Sequence, residues 1–261
     1  MKKRILRLKL AVKAVMIVLL LNAMGMSSAF AQSFTIGELR YRVISGTNSV
    51  ILYGHTNTIN GTLIIPSTVT YNDMVYTVIQ IGDNAFANCS NLSGHLVIPN
   101  SVEMIGFQAF ANCTGFTGSL IIGNSVTTIG EWAFYGCSGF TGDLIIPNSV
   151  SAIGEGAFYN CSGFSSQISI PSSVSTIYCH ELHPFYGTVW YNNQNDGVLY
   201  LDGWCLGYKG EINSTLYIQE GTLHIAGGAF KTCSNLTSVI IPNSVTDIGI
   251  SAFEVCESLA S

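Results

Sequence analysis

Positive charge is scarce in this sequence and unevenly placed. Of ten Lys and Arg residues, six (Lys2, Lys3, Arg4, Arg7, Lys9 and Lys13) fall within the first 13 positions. Only Arg40, Arg42, Lys209 and Lys231 follow, so without the leader four cations face 15 carboxylates, a net charge of −11. A surface of that sign repels phosphate, which makes nucleic acid and anionic membranes poor partners. Long apolar runs are also lacking. The candidate, Ala14 to Leu21, is shorter than the roughly 20 residues a membrane span requires. It lies between the cationic start and Ala29-Phe30-Ala31, which fits the small-x-small cleavage rule. Residues 1–31 are therefore read as a signal peptide rather than a retained anchor, with Gln32 as the mature start. The mature chain is expected to be secreted or held at the cell surface, without inserting into the membrane.

Signatures of catalysis are absent too. No Gly-x-Ser-x-Gly elbow occurs, and the acids are scattered rather than paired. Cys179-His180-Glu181-Leu182-His183 comes nearest to a metal motif, but its histidines are three apart, not four, and Pro184 stops a helix there. Cys179 or Cys205 beside a histidine is what remains for thiol chemistry. The expectation is a non-enzyme with no cofactor and no metal.

What is present is a repeat. Segments 81–104, 105–128, 129–152 and 153–176 align without gaps at 24 residues. Each opens with Ile-Gly (Ile81, Ile105, Ile129, Ile153), places Ala-Phe next (Phe86, Phe110, Phe134, Phe158) and then a cysteine (Cys89, Cys113, Cys137, Cys161). An apolar strand follows, usually closed by Pro-Asn-Ser-Val. The pattern returns at 225–247 and starts again at 248. The 48 residues between Ile177 and Ile225 equal two periods and are read as two irregular coils carrying an aromatic insertion. A period in this range signals a solenoid, because one unit cannot bury its own apolar face while stacked units can. Strand alternation turns Leu96/Ile98, Leu120/Ile122, Leu144/Ile146, Ile168/Ile170 and Val239/Ile241 inward. Proline cannot donate to a ladder and ends each strand. Ala-Phe-x-x-Cys is expected to form one helical or 3₁₀ turn, and the glycine after each opening isoleucine to need unusual φ/ψ. Residues 32–80 read as a β-rich cap merging into the first coil, with strands at 40–44, 49–53 and 61–65. Six of the eight cysteines hold one repeat position. Stacked at about 5 Å with parallel Cβ vectors, they favour a ladder of reduced thiols over disulfides.

The unit Ile-Gly-x-x-Ala-Phe-x-x-Cys followed by strand-Pro-Asn-Ser-Val resembles the BspA-like, or Treponema pallidum-type, leucine-rich repeats of bacterial surface proteins. The resemblance covers about 62–261 and extends to Tyr71-Asn72-Asp73 and to 185–200. It implies a leucine-rich-repeat solenoid with parallel sheets, a secreted or surface location, and adhesion to host or matrix proteins such as fibronectin and fibrinogen. A host or extracellular-matrix protein, or a glycan, is thus the expected partner. A structural surface scaffold and, more distantly, an exported enzyme are the alternatives; no oligomeric state follows.

Two features are candidates for binding. One is the outward strand stripe Ile64, Val97, Ile121, Ile145 and Ile240, interrupted by Ser169 and Tyr217; large exposed apolar patches mark partner surfaces. The other is the aromatic stretch 185–217, with Trp190, Tyr191, Trp204 and Tyr208, which suits protein or glycan contact or instead packs to seal the irregular coils.

Overall fold

A computed structural model of the chain describes residues 32–179 and 183–259. Residues 1–31, read above as a signal peptide, lie outside the described residues, as do His180-Glu181-Leu182 and the last two residues.

The chain begins with an antiparallel meander, β1 (Ser33–Ile36), β2 (Leu39–Val43) and β3 (Ser49–His55). The hairpin β4 (Thr68–Tyr71) and β5 (Met74–Ile81) follows, turning through Asn72 and Asp73 at φ 49° and 61°. Strand β5 lies parallel on β3, which converts meander into solenoid. Each regular coil then contributes two short strands. These are β6 (Leu96–Val97) and β7 (Met104–Ile105), β8 (Leu120–Ile121) and β9 (Thr128–Ile129), β10 (Gly142–Ile145) and β11 (Ala152–Ile153), and β12 (Phe164–Ser169) and β13 (Thr176–Ile177). The second strand of each pair joins one continuous sheet, β1-β2-β3-β5-β7-β9-β11-β13, which stacks the opening isoleucines in register (Ile81, Ile105, Ile129, Ile153, Ile177). The first strands pair in parallel as β6–β8 and β10–β12 on a separate side. This is the leucine-rich-repeat solenoid, with parallel sheets of stacked 24-residue coils.

The irregular interval has its own construction. One short helix, α1 (Val189–Asn192), packs against β12 where the next coil's first strand would lie. An antiparallel hairpin of β14 (Gly197–Leu201) and β15 (Trp204–Lys209) follows. Parallel stacking then resumes with β16 (Thr215–Tyr217), β17 (His224–Ile225), β18 (Ser238–Ile240) and β19 (Asp247–Ile248).

Aromatic columns run through the core. Phe86, Phe110, Phe134 and Phe158 stack at centroid spacings of 5.3, 5.4 and 5.5 Å, and Phe185 extends the column at 6.0 Å. Phe116, Phe140 and Phe164 form a second column at 4.9 and 5.6 Å. Beside the first column, Cys113, Cys137 and Cys161 each donate S–H to the phenylalanine carbonyl of the preceding coil at 3.0 Å.

Several local expectations need correction. The Ala-Phe-x-x-Cys piece is not a helical or 3₁₀ turn but a run of stacked turns. The N–H groups of Asn84, Phe86 and Asn88 donate to the carbonyls of Phe107, Ala109 and Ala111 in the next coil. That cross-coil ladder uses backbone donors a helix would keep to itself, and it sets Asn84, Asn88, Gln108, Asn112 and Trp132 at φ between 50° and 64°. The glycines after the opening isoleucines have no left-handed φ. They are required by close approach: a Cβ on Gly130 would lie 2.7 Å from the backbone of Gly106, and one on Gly106 2.8 Å from Asp83 N. Residues 61–65 alternate in burial like a strand, yet bond to the next coil through a single bridge, Gly61 to Leu92. Finally, Val239 is half-buried and Ile241 exposed, because no described coil stacks beyond them.

Candidate functional site

The outward stripe is a real surface. Relative exposure is 77% for Ile64, 49% for Val97, 51% for Ile121 and 69% for Ile145, whereas the residues flanking each of them are buried. Register explains the alignment: Val97 pairs with Ile121 across β6–β8, and Ile145 with Ser169 across β10–β12. Val97 and Ile121 are thus strand neighbours, about 4.8 Å apart, Ile145 holds the same position one 24-residue period later, and Ile64 holds the outward position between buried Leu63 and Ile65 in the segment before them. The stripe then breaks. Ser169 ends the aliphatic run, α1 occupies the next strand position, and Tyr217 and Ile240 reappear together on the separate β16–β18 pair. Ile240 is thus exposed, as Ile64 to Ile145 are, but forms a second patch rather than the end of one ribbon.

The aromatic stretch behaves otherwise. Trp190, Tyr191 and Trp204 are buried and Tyr208 is half-buried. Trp190, Tyr191 and Trp204 are core side chains rather than surface ones, and the physical reason is the missing strand. The space that it would fill is occupied by α1, whose Trp190 lies edge-on to Phe185 at 6.0 Å while Tyr191 packs on Tyr186 at 5.0 Å. Buried Thr188 caps the helix, accepting from Tyr191 N–H at 3.2 Å and donating to Phe185 O at 2.7 Å. Lys209 Nζ donates to the carbonyls of Tyr191, Asn192 and Gln194 at the other end, at 3.3, 3.1 and 2.7 Å. Tyr208 stacks on Phe230 at 6.1 Å and carries the core across the irregular coils.

The chemistry-bearing groups singled out in the sequence are core groups. His183 Nδ1 accepts from Phe185 N–H at 3.1 Å, and burial drives this imidazole down to about 3, so it is neutral at physiological pH. Cys179 is buried and its thiol is raised well above the usual range by desolvation; Cys205, likewise buried, is pushed to about 12. Among the described residues no three His, Cys, Asp or Glu side chains are placed to hold a metal, and no helix is long and apolar enough to cross a membrane.

Sequence reasoning missed one surface. Over the continuous sheet lies an open groove of about 400 Å³, bordered by Met104, Phe107, Thr128, Ala152 and Tyr178, with Asp83 and Glu131 on its lining. Its floor is Gly106, Gly130 and Gly154. The groove exists because those positions carry no side chain, and the same close coil packing that demands glycine creates it. A glycine column one residue after the inward isoleucine was the available signal.

The model of the BspA-type leucine-rich repeat region matches in six copies, over residues 79–183 and 205–261. No curated protein sequence matches the chain. Among solved structures, the chain is similar to the T. pallidum leucine-rich repeat protein, with 20% identity over 88% of this chain and 91% of that one, at a TM-score of 0.54. Weaker likenesses include the pneumococcal vaccine antigen PcpA (19% identity, 90% and 70% coverage, TM-score 0.47). A leucine-rich cell surface protein of Faecalibacterium prausnitzii is comparable (24% identity, 87% and 75% coverage, TM-score 0.41). Repeat unit, stacking and family model agree, and the chain belongs to the BspA-type leucine-rich repeat family.

Proposed function

We propose that this protein is exported and serves, as a secreted or cell-surface adhesin, to bind a host or matrix protein, the partner docking on the aliphatic row Ile64-Val97-Ile121-Ile145. The observation that carries this reading is the row itself: four large aliphatic side chains held in water on a rigid scaffold that has ample buried positions for them. Isolated exposed aliphatics need no explanation, but an aligned run is costly to solubility and is retained where a partner covers it. The shortage of cations beyond residue 31 argues for a protein or neutral glycan rather than an anionic polymer. Export rests on the reading of residues 1–31, and membership of a family of bacterial repeat proteins supports a binding role.

The test is binding of the mature chain to immobilised fibronectin, fibrinogen and other matrix proteins, with a glycan array in parallel. Ile121→Asp with Ile145→Asp should weaken binding at least tenfold, about 1.4 kcal/mol, without changing the circular dichroism spectrum. Undiminished binding by the double variant would remove the row from the site. Failure of the wild-type chain on every surface would favour a scaffold role.

A further inference from the structure

The first regular coil contains a thiol unlike the other seven. All eight cysteines are free, and all but Cys89 are buried. In the coils that follow, Cys113, Cys137, Cys161 and Cys256 each donate S–H to the phenylalanine carbonyl of the coil before, while buried Cys233 lies against the Tyr208 hydroxyl. Cys89 has no such predecessor. His55, at the end of β3, stands in that place: its ring stacks on Phe86 at 5.9 Å and 11°, as the next phenylalanine stacks in turn. Cys89 Sγ lies 3.2 Å from His55 Nε2. His55 Nδ1 lies 2.6 Å from Asn57 O. A carbonyl only accepts, so Nδ1 carries the ring proton and Nε2 presents its lone pair to the thiol. Thiol, base and orienting carbonyl are thus aligned, and both side chains line an open cavity of about 420 Å³. Its other walls come from Thr56 to Ile59 and from Asn88, Ser90 and Asn91, with no charged side chain.

We propose that Cys89 with His55 forms a thiol–disulfide exchange site for small polar disulfides of the cystine and glutathione class. The Sγ proton passes to His55 Nε2 as Sγ attacks one sulfur of the disulfide. A new Sγ–S bond forms, the S–S bond of the small molecule breaks, and its leaving sulfur takes the proton back from the imidazole. One disulfide and one thiol enter and one of each leave, so no external oxidant is consumed. Burial pushes the Cys89 thiol up to about 11, so free thiolate is scarce and the step relies on the adjacent base. The hydroxyl and amide lining suits a peptidic disulfide, which carries donors and acceptors of its own.

The test is incubation of the native full chain with glutathione disulfide, read by intact mass and peptide mapping over time. The expected result is one adduct per chain, on Cys89, with the other seven thiols modified only after denaturation. Cys89→Ser should abolish it. His55→Phe keeps the ring stack on Phe86 but removes the base, and should slow adduct formation at least tenfold; His55→Gln, which still accepts the S–H but is no base, should do the same. No adduct on the native chain would overturn the proposal. So would an adduct on another cysteine at a similar rate, or exchange at the wild-type rate in either His55 variant while it remains folded by circular dichroism.

Discussion

Phe134→Ala is expected to remove about 3–5 kcal/mol of stability, the cost typical of truncating a fully buried phenylalanine. The side chain is fully buried and stacked on both sides, by Phe110 at 5.4 Å and Phe158 at 5.5 Å, with Phe140 edge-on at 6.3 Å. A solenoid spreads stability over coil-to-coil interfaces, so a cavity in the middle coil weakens two of them at once. Domains of this size hold only about 5–15 kcal/mol in reserve, and the loss is therefore a large share of the total. The expected readout is a marked fall in the midpoint of guanidinium unfolding. A midpoint within error of the wild type would mean that the phenylalanine column is not the axis of the core.

Gly139→Ala should cost about 3 kcal/mol, the upper part of the range for overpacking, although it adds one methyl group. The Cβ would sit 2.6 Å from Thr114 O and still closer to Phe116 O, both backbone atoms of the preceding coil. Backbone cannot swing aside as a flexible side chain does, so the two coils must move apart. Gly115 and Gly163 face the same obstruction from the coils before them. Asn91 and Asn235 hold the equivalent position in the first and the returning unit; Asn235 uses its amide to reach Ile212 O at 2.8 Å. The check is a parallel set of melts: Gly139→Ala low, and Gly142→Ala, whose Cβ meets nothing within 4 Å, penalised only by its φ of 81°.

How much of this was legible in the sequence depended on whether a feature repeats. The period of 24 gave the coil, the inward strand pairs and the phenylalanine and cysteine columns, because each recurs at one offset. The stripe was legible for the same reason, since strand alternation alone puts Val97 and Ile121 opposite their buried neighbours. What depends on contact between coils was not. The glycines read as bends, though they are close-approach positions. The stacked turns read as helix, because a sequence pattern does not reveal that Phe86 N–H bonds across to Ala109 O. The aromatic stretch left two readings open, contact surface or packed seal, because the burial of Trp190 depends on α1 packing against β12, which no repeat pattern reveals. The Cys89–His55 pair was invisible for a further reason: its members lie 34 residues apart, one in the cap and one in the repeat.

The regular coils are two-faced, with an inward strand face that holds the fold and an outward strand face exposed to solvent. Ile145 and Ile146 test this most directly, being adjacent in sequence but 69% and 4% exposed. Thermal melts of Ile145→Asp and Ile146→Asp would be compared under one set of conditions. The expected result is an Ile145→Asp melt within about 1 kcal/mol of the wild type, near the small effect usual for surface changes. Ile146→Asp, which buries an unpaired carboxylate, should unfold the neighbouring coils or the whole chain. Equal destabilisation by the two substitutions would contradict the account.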